Sequence, residues 1–126
     1  MRFVFKLIRM ILTPFMLLAE KLTTPKGISR SMEAQTQVNA DCSKLALYEF
    51  KACPFCIKVR KEMARLNLSI IKYDAQNNQT HRQALQAGGG RIKVPCLRIT
   101  QDNGDIQWMY ESKDIITYLQ QRFAAV

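Results

Sequence analysis

The sequence predicts an α/β fold: a four-stranded mixed sheet in the order βαβαββα, behind an N-terminal amphipathic helix. Three observations carry that reading. Strand-forming apolar residues alternate in short runs, and longer segments between them repeat their apolar residues every third or fourth position. Gly, Pro, Asn and Asp clusters punctuate the runs. The polar residues of the first twenty positions line up on one stripe of a helix. With 126 residues, the chain has room for one domain and an appendage.

The appendage comes first. Arg2, Lys6, Arg9, Thr13 and Glu20 are spaced by 4, 3, 4 and 7, which at about 100° per residue is one narrow stripe. Phe3, Phe5, Leu7, Ile8, Ile11, Leu12, Phe15, Met16, Leu18 and Ala19 cover the rest of the helix. The uncharged stretch from Met10 to Ala19 falls short of the roughly 20 residues that span a bilayer, and Pro14 is expected to kink or restart the helix. A signal peptide fits poorly, because no small-x-small site follows. A helix lying in the membrane surface, its cations on headgroup phosphates, explains the stripe better than a spanning one. Packing of the helix on its own domain or on a partner protein stays open beside it. Thr23 to Gly27 breaks the pattern. Residues 23–44 then read as a polar linker, with a short helix plausible within Ser31 to Asp41, where Met32, Glu33, Ala34 and Gln35 are helix formers, and Cys42 a surface thiol.

The domain is expected over residues 45–126. Leu45 to Phe50 alternates as a first strand. Val59, Met63 and Leu66 recur at helical spacing, with Lys58, Arg60, Lys61, Glu62 and Arg65 opposite. Ser69 to Tyr73 reads as the second strand and Thr80 to Ala87 as a short helix ended by a tight turn at Gly88 to Gly90. Leu97 to Thr100 and Ile106 to Tyr110 form the last two strands, joined by a hairpin turn at Asp102 to Asp105. Ser112 is expected to cap a final helix that carries Ile115, Ile116, Leu119 and Phe123. Trp108 and Tyr110 read as packing residues. The opening β-α-β implies a parallel pair with a right-handed crossover.

Composition narrows the function. The net charge is +9, which suits an anionic partner. Nucleic acid is not expected, because the basic residues are spread and no reader motif accompanies them. Cys53 and Cys56 make one C-x-x-C pair, and Cys42 and Cys96 stand alone. His81 is the only histidine. A secreted disulfide scaffold would hold more cysteine, and a structural zinc site would need further ligands at short spacing. No metal is expected, and the pair reads as redox chemistry.

Cys53-Pro54-Phe55-Cys56 after the first strand, Val94-Pro95-Cys96-Leu97 before the third, and Tyr110 to Leu119 at the last helix resemble the glutaredoxin branch of the thioredoxin fold. The last phrase also resembles the glutathione-binding half of glutathione transferases. The likeness covers about two-thirds of the chain. It implies a thioredoxin-like fold, glutathione as co-substrate, and disulfide-bearing or glutathionylated proteins as partners. It implies a cis Pro95 facing the active-site sulfur, Val94 offering its backbone to the cysteinyl part of glutathione, and Glu111 and Ser112 holding the γ-glutamyl end. Lys51 and Phe55 complete the implied glutathione site. Two features depart from the family pattern. Lys51 stands two residues before the first cysteine where many members have a lysine three before. Cys96, directly after the proline, reads as a small buried hydrophobe.

The chemistry of the pair agrees. Disulfide exchange runs through a thiolate. Cys53 sits just before a helix, where free N–H groups favour negative charge, and Pro54 suits the first helical position. Lys51, Lys58 and Lys61 add positive charge. Cys56, one turn on, is placed to resolve a mixed disulfide. A purely stabilising disulfide explains the pair poorly, since so small a loop constrains the unfolded chain little. The expected protein is a monomeric dithiol reductase on the cytoplasmic face of the cell membrane, bound to anionic lipid through residues 1–22. The alternative is a non-catalytic glutathione-binding or iron–sulfur-carrying module. A third reading makes the basic helix the main function and the domain its regulator.

Overall fold

The computed structural model describes residues 2–23 and 27–124; Met1, 24–26, 125–126 and the side chain of Arg2 lie outside it. The elements in order are α1 (Arg2–Thr23), α2 (Met32–Cys42), β1 (Leu45–Glu49), α3 (Pro54–Arg65), β2 (Ile71–Asp74), α4 (Gln79–Gly89), β3 (Cys96–Thr100), β4 (Ile106–Met109) and α5 (Ser112–Phe123). The strands form one sheet in the order β2-β1-β3-β4. β1 runs parallel to β2 and antiparallel to β3, and β3 and β4 form the hairpin. This is the expected thioredoxin-like fold.

β1 is central, so both of its faces must be apolar. Leu45 and Leu47 pack with Val59 and Met63 of α3 and with Ile115, Leu119 and Phe123 of α5. Ala46 and Tyr48 point the other way, toward Leu85 of α4 and Cys96. The period of 2 in one strand thus feeds two cores. The hairpin turns at Gly104, whose φ of 91° favours glycine, with the Gly104 N–H donating to the Gln101 carbonyl.

Residues 32–42, expected inside a linker, are a core helix. Ser31 caps α2 by accepting from the Ala34 N–H. Val38 and Cys42 are each 1% exposed and belong to the main core. Cys42 is therefore no surface thiol. The two buried residues of α2 sit one turn apart in a polar sequence, too sparse for a periodic pattern.

Three local expectations also change. Gly88 and Gly89 lie within α4, and only Gly90 turns the chain, with φ 89°. The rings of Trp108 and Tyr110 press on the helix there: a Cβ at Gly88 would stand 2.0 Å from Trp108, and one at Gly89 would stand 1.9 Å from the Tyr110 hydroxyl. At α5, Ser112 is the first helical residue, the cap position belongs to Glu111 with φ 72°, and no side chain caps. Pro14 sits inside a continuous α1. Thr24, Pro25 and Lys26 of the expected helix break lie outside the described residues.

α1 is fastened to the domain through one stripe. Thr13, Met16, Leu17 and Glu20 are half-buried, and the helix packs along α3. Phe3, Phe5, Met10, Ile11, Phe15 and Leu18 are each more than half exposed. Among the described residues no helix is long and apolar enough to cross a membrane.

Candidate active site

The thiol pair sits where β1 hands the chain to α3. Cys53 occupies the cap position of α3 in extended backbone, and Pro54 opens the helix without losing a needed donor. The Cys53 N–H donates to the Phe50 carbonyl, closing the loop between strand and helix. Cys53 is partly exposed and Cys56 is fully buried. Both are free thiols. Burial pushes the Cys56 thiol up to about 12, and its hydrogen bond and proximity to Cys53 act in the same direction. Cys56 therefore stays a neutral S–H that donates toward Cys53.

Sheet register brings the other expected residues to the same end. Tyr48 pairs with Cys96, and Leu97 pairs with Met109. The Cys53 loop, Val94-Pro95 and Tyr110 to Ser112 therefore all lie at one end of the strands. The Val94-Pro95 peptide is cis, Pro95 is buried and Val94 half-buried. Lys93 donates to Glu111 at 2.5 Å, and this holds the Glu111 carboxyl below its ordinary range. Phe55 is exposed on the first turn of α3, with the Lys58 ammonium 5.9 Å from its ring centre. Lys51 is exposed; Lys61 is half-buried.

Cys96 is fully buried behind Pro95, and burial pushes its thiol up to about 12. It contacts the Tyr110 hydroxyl, which donates to the Arg91 carbonyl at 2.9 Å. That is the small buried hydrophobe expected, with Tyr110 as its packing partner. Among the described residues no group of three or more His, Cys, Asp or Glu is placed to hold a metal ion.

Sequence reasoning missed a charged clamp behind the thiols. Arg60, two turns into α3, donates to both Glu20 oxygens, to Glu49 and to the Lys51 carbonyl, each at 2.7 Å. Burial of Arg60 opposes its charge, but the two carboxylates outweigh that and raise its pKa. The Arg60 hydrogen bond lowers that of Glu20 against a smaller desolvation effect. The clamp joins α1, β1, α3 and the loop before Cys53. The available signal was Glu20 itself, an acid on an otherwise basic stripe; its partner lies 40 residues away and no local pattern could name it.

Comparison with known proteins follows the same outline. The family model for the glutathione S-transferase N-terminal domain matches residues 47–126. Prostaglandin E synthase 2 of Danio rerio is 34% identical over 101 residues, which is 79% of this chain and 24% of that protein. The chain thus spans about a quarter of that relative's length. Maleylacetoacetate isomerase from Anaeromyxobacter dehalogenans 2CP-1, solved with dicarboxyethyl glutathione and citrate in its active site, superposes with a TM-score of 0.50. That match covers 64% of this chain and 37% of the isomerase at 23% identity, a likeness of fold. With the family match running through more than half of the sequence, the chain belongs to the glutathione S-transferase N-terminal domain family.

Proposed function

We propose that this protein is a glutathione-dependent thiol–disulfide oxidoreductase of the dithiol glutaredoxin kind. It acts as a monomer on protein disulfides or glutathione mixed disulfides. The observation that carries this reading is the asymmetry of the pair: Cys53 is accessible at a helix N-terminus, and Cys56 is buried, protonated and hydrogen-bonded to it. Nucleophile and resolving thiol need those opposite environments. The Cys53 thiolate attacks a substrate sulfur, forming a mixed disulfide and releasing the other sulfur as a thiolate that takes a proton. Cys56 then loses its proton and attacks Cys53, closing the internal disulfide and releasing the reduced substrate. Two glutathione molecules return the two electrons and leave as glutathione disulfide.

The glutathione site of this reading is that common end of the strands. Val94 offers its backbone beside Pro95, Glu111 and Ser112 take the γ-glutamyl end at the N-terminus of α5, and Lys51, Pro54 and Phe55 border the sulfur. The exposed apolar face of α1 supports attachment to an anionic membrane surface on the cytoplasmic side. Lys6 and Arg9 are the cations of that attachment.

A glutathione-linked reductase assay tests the reading. Cys53→Ser is expected to abolish turnover, and Cys56→Ser to keep activity on glutathionylated substrates, because free glutathione completes that cycle. Equal loss in both variants contradicts the assigned roles. Family membership favours one second reading, glutathione transfer to a carbon electrophile. That chemistry leaves the paired thiols without a task, and it would survive Cys56→Ser with no measurable reductase activity in the parent.

A further inference from the structure

α1 does more than rest on the domain: it forms one wall of the groove above Cys53. The groove encloses about 630 Å³ between Arg9, Leu12, Thr13 and Met16 on the α1 side and Lys51 and Cys53 on the loop. The wall is held in place. Arg60 grips the Glu20 carboxylate through two 2.7 Å hydrogen bonds and the Lys51 carbonyl through a third. The side chains of Arg60 and Glu20 are only 10% and 17% exposed. Such a shielded two-point contact fixes orientation as well as distance.

The charges of this groove have one sign. Arg9 and Lys51 face into it, and no carboxylate belongs to its described lining. The nearby acids Glu20 and Glu49 are both turned to Arg60. The rest of the described lining is mostly apolar and includes Cys53 itself. A chain that carries a sulfur and ends in a carboxylate matches that lining.

We propose that the groove between α1 and the Cys53 loop is a carboxylate subsite. In it Arg9, with Lys51, holds the anionic end of a peptide thiol or disulfide whose sulfur Cys53 attacks. The proposal rests on the reductase reading of Cys53 and deepens it. It makes residues outside the family-matched region part of substrate recognition. Arg9 is a binding residue for the carboxylate and takes no part in the exchange. When glutathione disulfide is the substrate, the Cys53–sulfur bond forms, the glutathione S–S bond breaks, and one glutathione leaves as thiolate to be protonated by solvent.

The test uses the full chain carrying Cys56→Ser, in neutral detergent without lipid, so that the Cys53 adduct accumulates and no anionic headgroup competes for Arg9. Adduct formation is timed by intact mass with two probes: glutathione disulfide, and the same disulfide with both glycine carboxylates as ethyl esters. The acid is expected to react two- to five-fold faster than the ester, the size of one partly exposed charge pair. Arg9→Gln is expected to slow the acid by about that factor and leave the ester unchanged, with Arg9→Lys restoring most of the difference. Equal slowing of both probes would assign Arg9 to the thiolate and overturn the subsite, as would an Arg9→Gln variant that discriminates like its parent. No adduct with either probe refutes the reductase reading itself, a separate outcome.

Discussion

Four thiols in one small domain occupy three kinds of surroundings, and their reactivity follows. Cys42, Cys56 and Cys96 are buried, and burial raises the pKa of all three. Iodoacetamide at pH 7–8 is therefore expected to modify Cys53 alone in the native protein and all four cysteines after denaturation, read by intact mass. A second modified thiol in the native protein would contradict the burial of Cys56. The same shifts set a pH dependence. A thiol whose folded pKa is raised from 9.0 to about 12 stabilises the fold fully below pH 9, and the contribution is lost as pH climbs toward 12. Denaturant midpoints should be steady up to about pH 9 and fall above it, and more shallowly for Cys96→Ala. Gly88 carries a different residue-scale consequence. In an open helix, Gly→Ala gains about 1 kcal/mol; here the new methyl meets the Trp108 ring at 2.0 Å. Overpacking costs typically about 1–3 kcal/mol, so Gly88→Ala should lower the thermal midpoint, where a solvent-facing glycine would raise it.

Among the elements, α2 separates what is dispensable from what is not. Its Val38 and Cys42 are core residues, and the segment before it is tied down as well. The Ile28 N–H donates to the Arg65 carbonyl, and Arg30 donates to the Phe123 carbonyl at 3.0 Å. Deleting residues 1–26 removes α1 and leaves those ties. Deleting residues 1–43 also strips α2 and opens apolar surface on α3 and α5. Burying one Val contributes about 1.5–3 kcal/mol, in a protein whose total is about 5–15. The 27–126 chain is expected to unfold cooperatively near the parent midpoint. The 44–126 chain should lose at least about 10 °C; equal midpoints would show that α2 contributes no stability.

At the scale of the whole molecule, the net charge of +9 and the uncovered face of α1 act together. Attachment to an anionic surface combines apolar burial with about 1 kcal/mol for each nearby Lys or Arg, screened by salt. Replacing Arg2, Lys6 and Arg9 with Gln should weaken binding to anionic vesicles by about a hundredfold and leave binding to neutral vesicles little changed, measured by vesicle co-sedimentation. If the parent ignores vesicles of either charge, α1 is a wall of the groove and not an anchor. The two roles share Arg9: Thr13 and Glu20 of its stripe are half-buried, while most of the apolar remainder of α1 is exposed.

Sequence alone determined the order of the elements over residues 45–126, the thiol pair at the start of α3, and the hairpin at Gly104. Each is a local matter: a period of 2 or 3.6, or a residue type demanded by one turn, shows within a window of a dozen positions. Only the tertiary structure decided that α2 is core, that Gly88 and Gly89 make room for Trp108 and Tyr110, and that Glu20 meets Arg60 beside the Cys53 loop. Those are contacts between segments 20 to 90 positions apart, and composition leaves them open because many partners of equal chemistry compete. Arg60 looked like one of five charged residues on a solvated face. Packing of α1 against α3 shielded it from water, and a buried guanidinium must then gather carboxylates and a carbonyl around it.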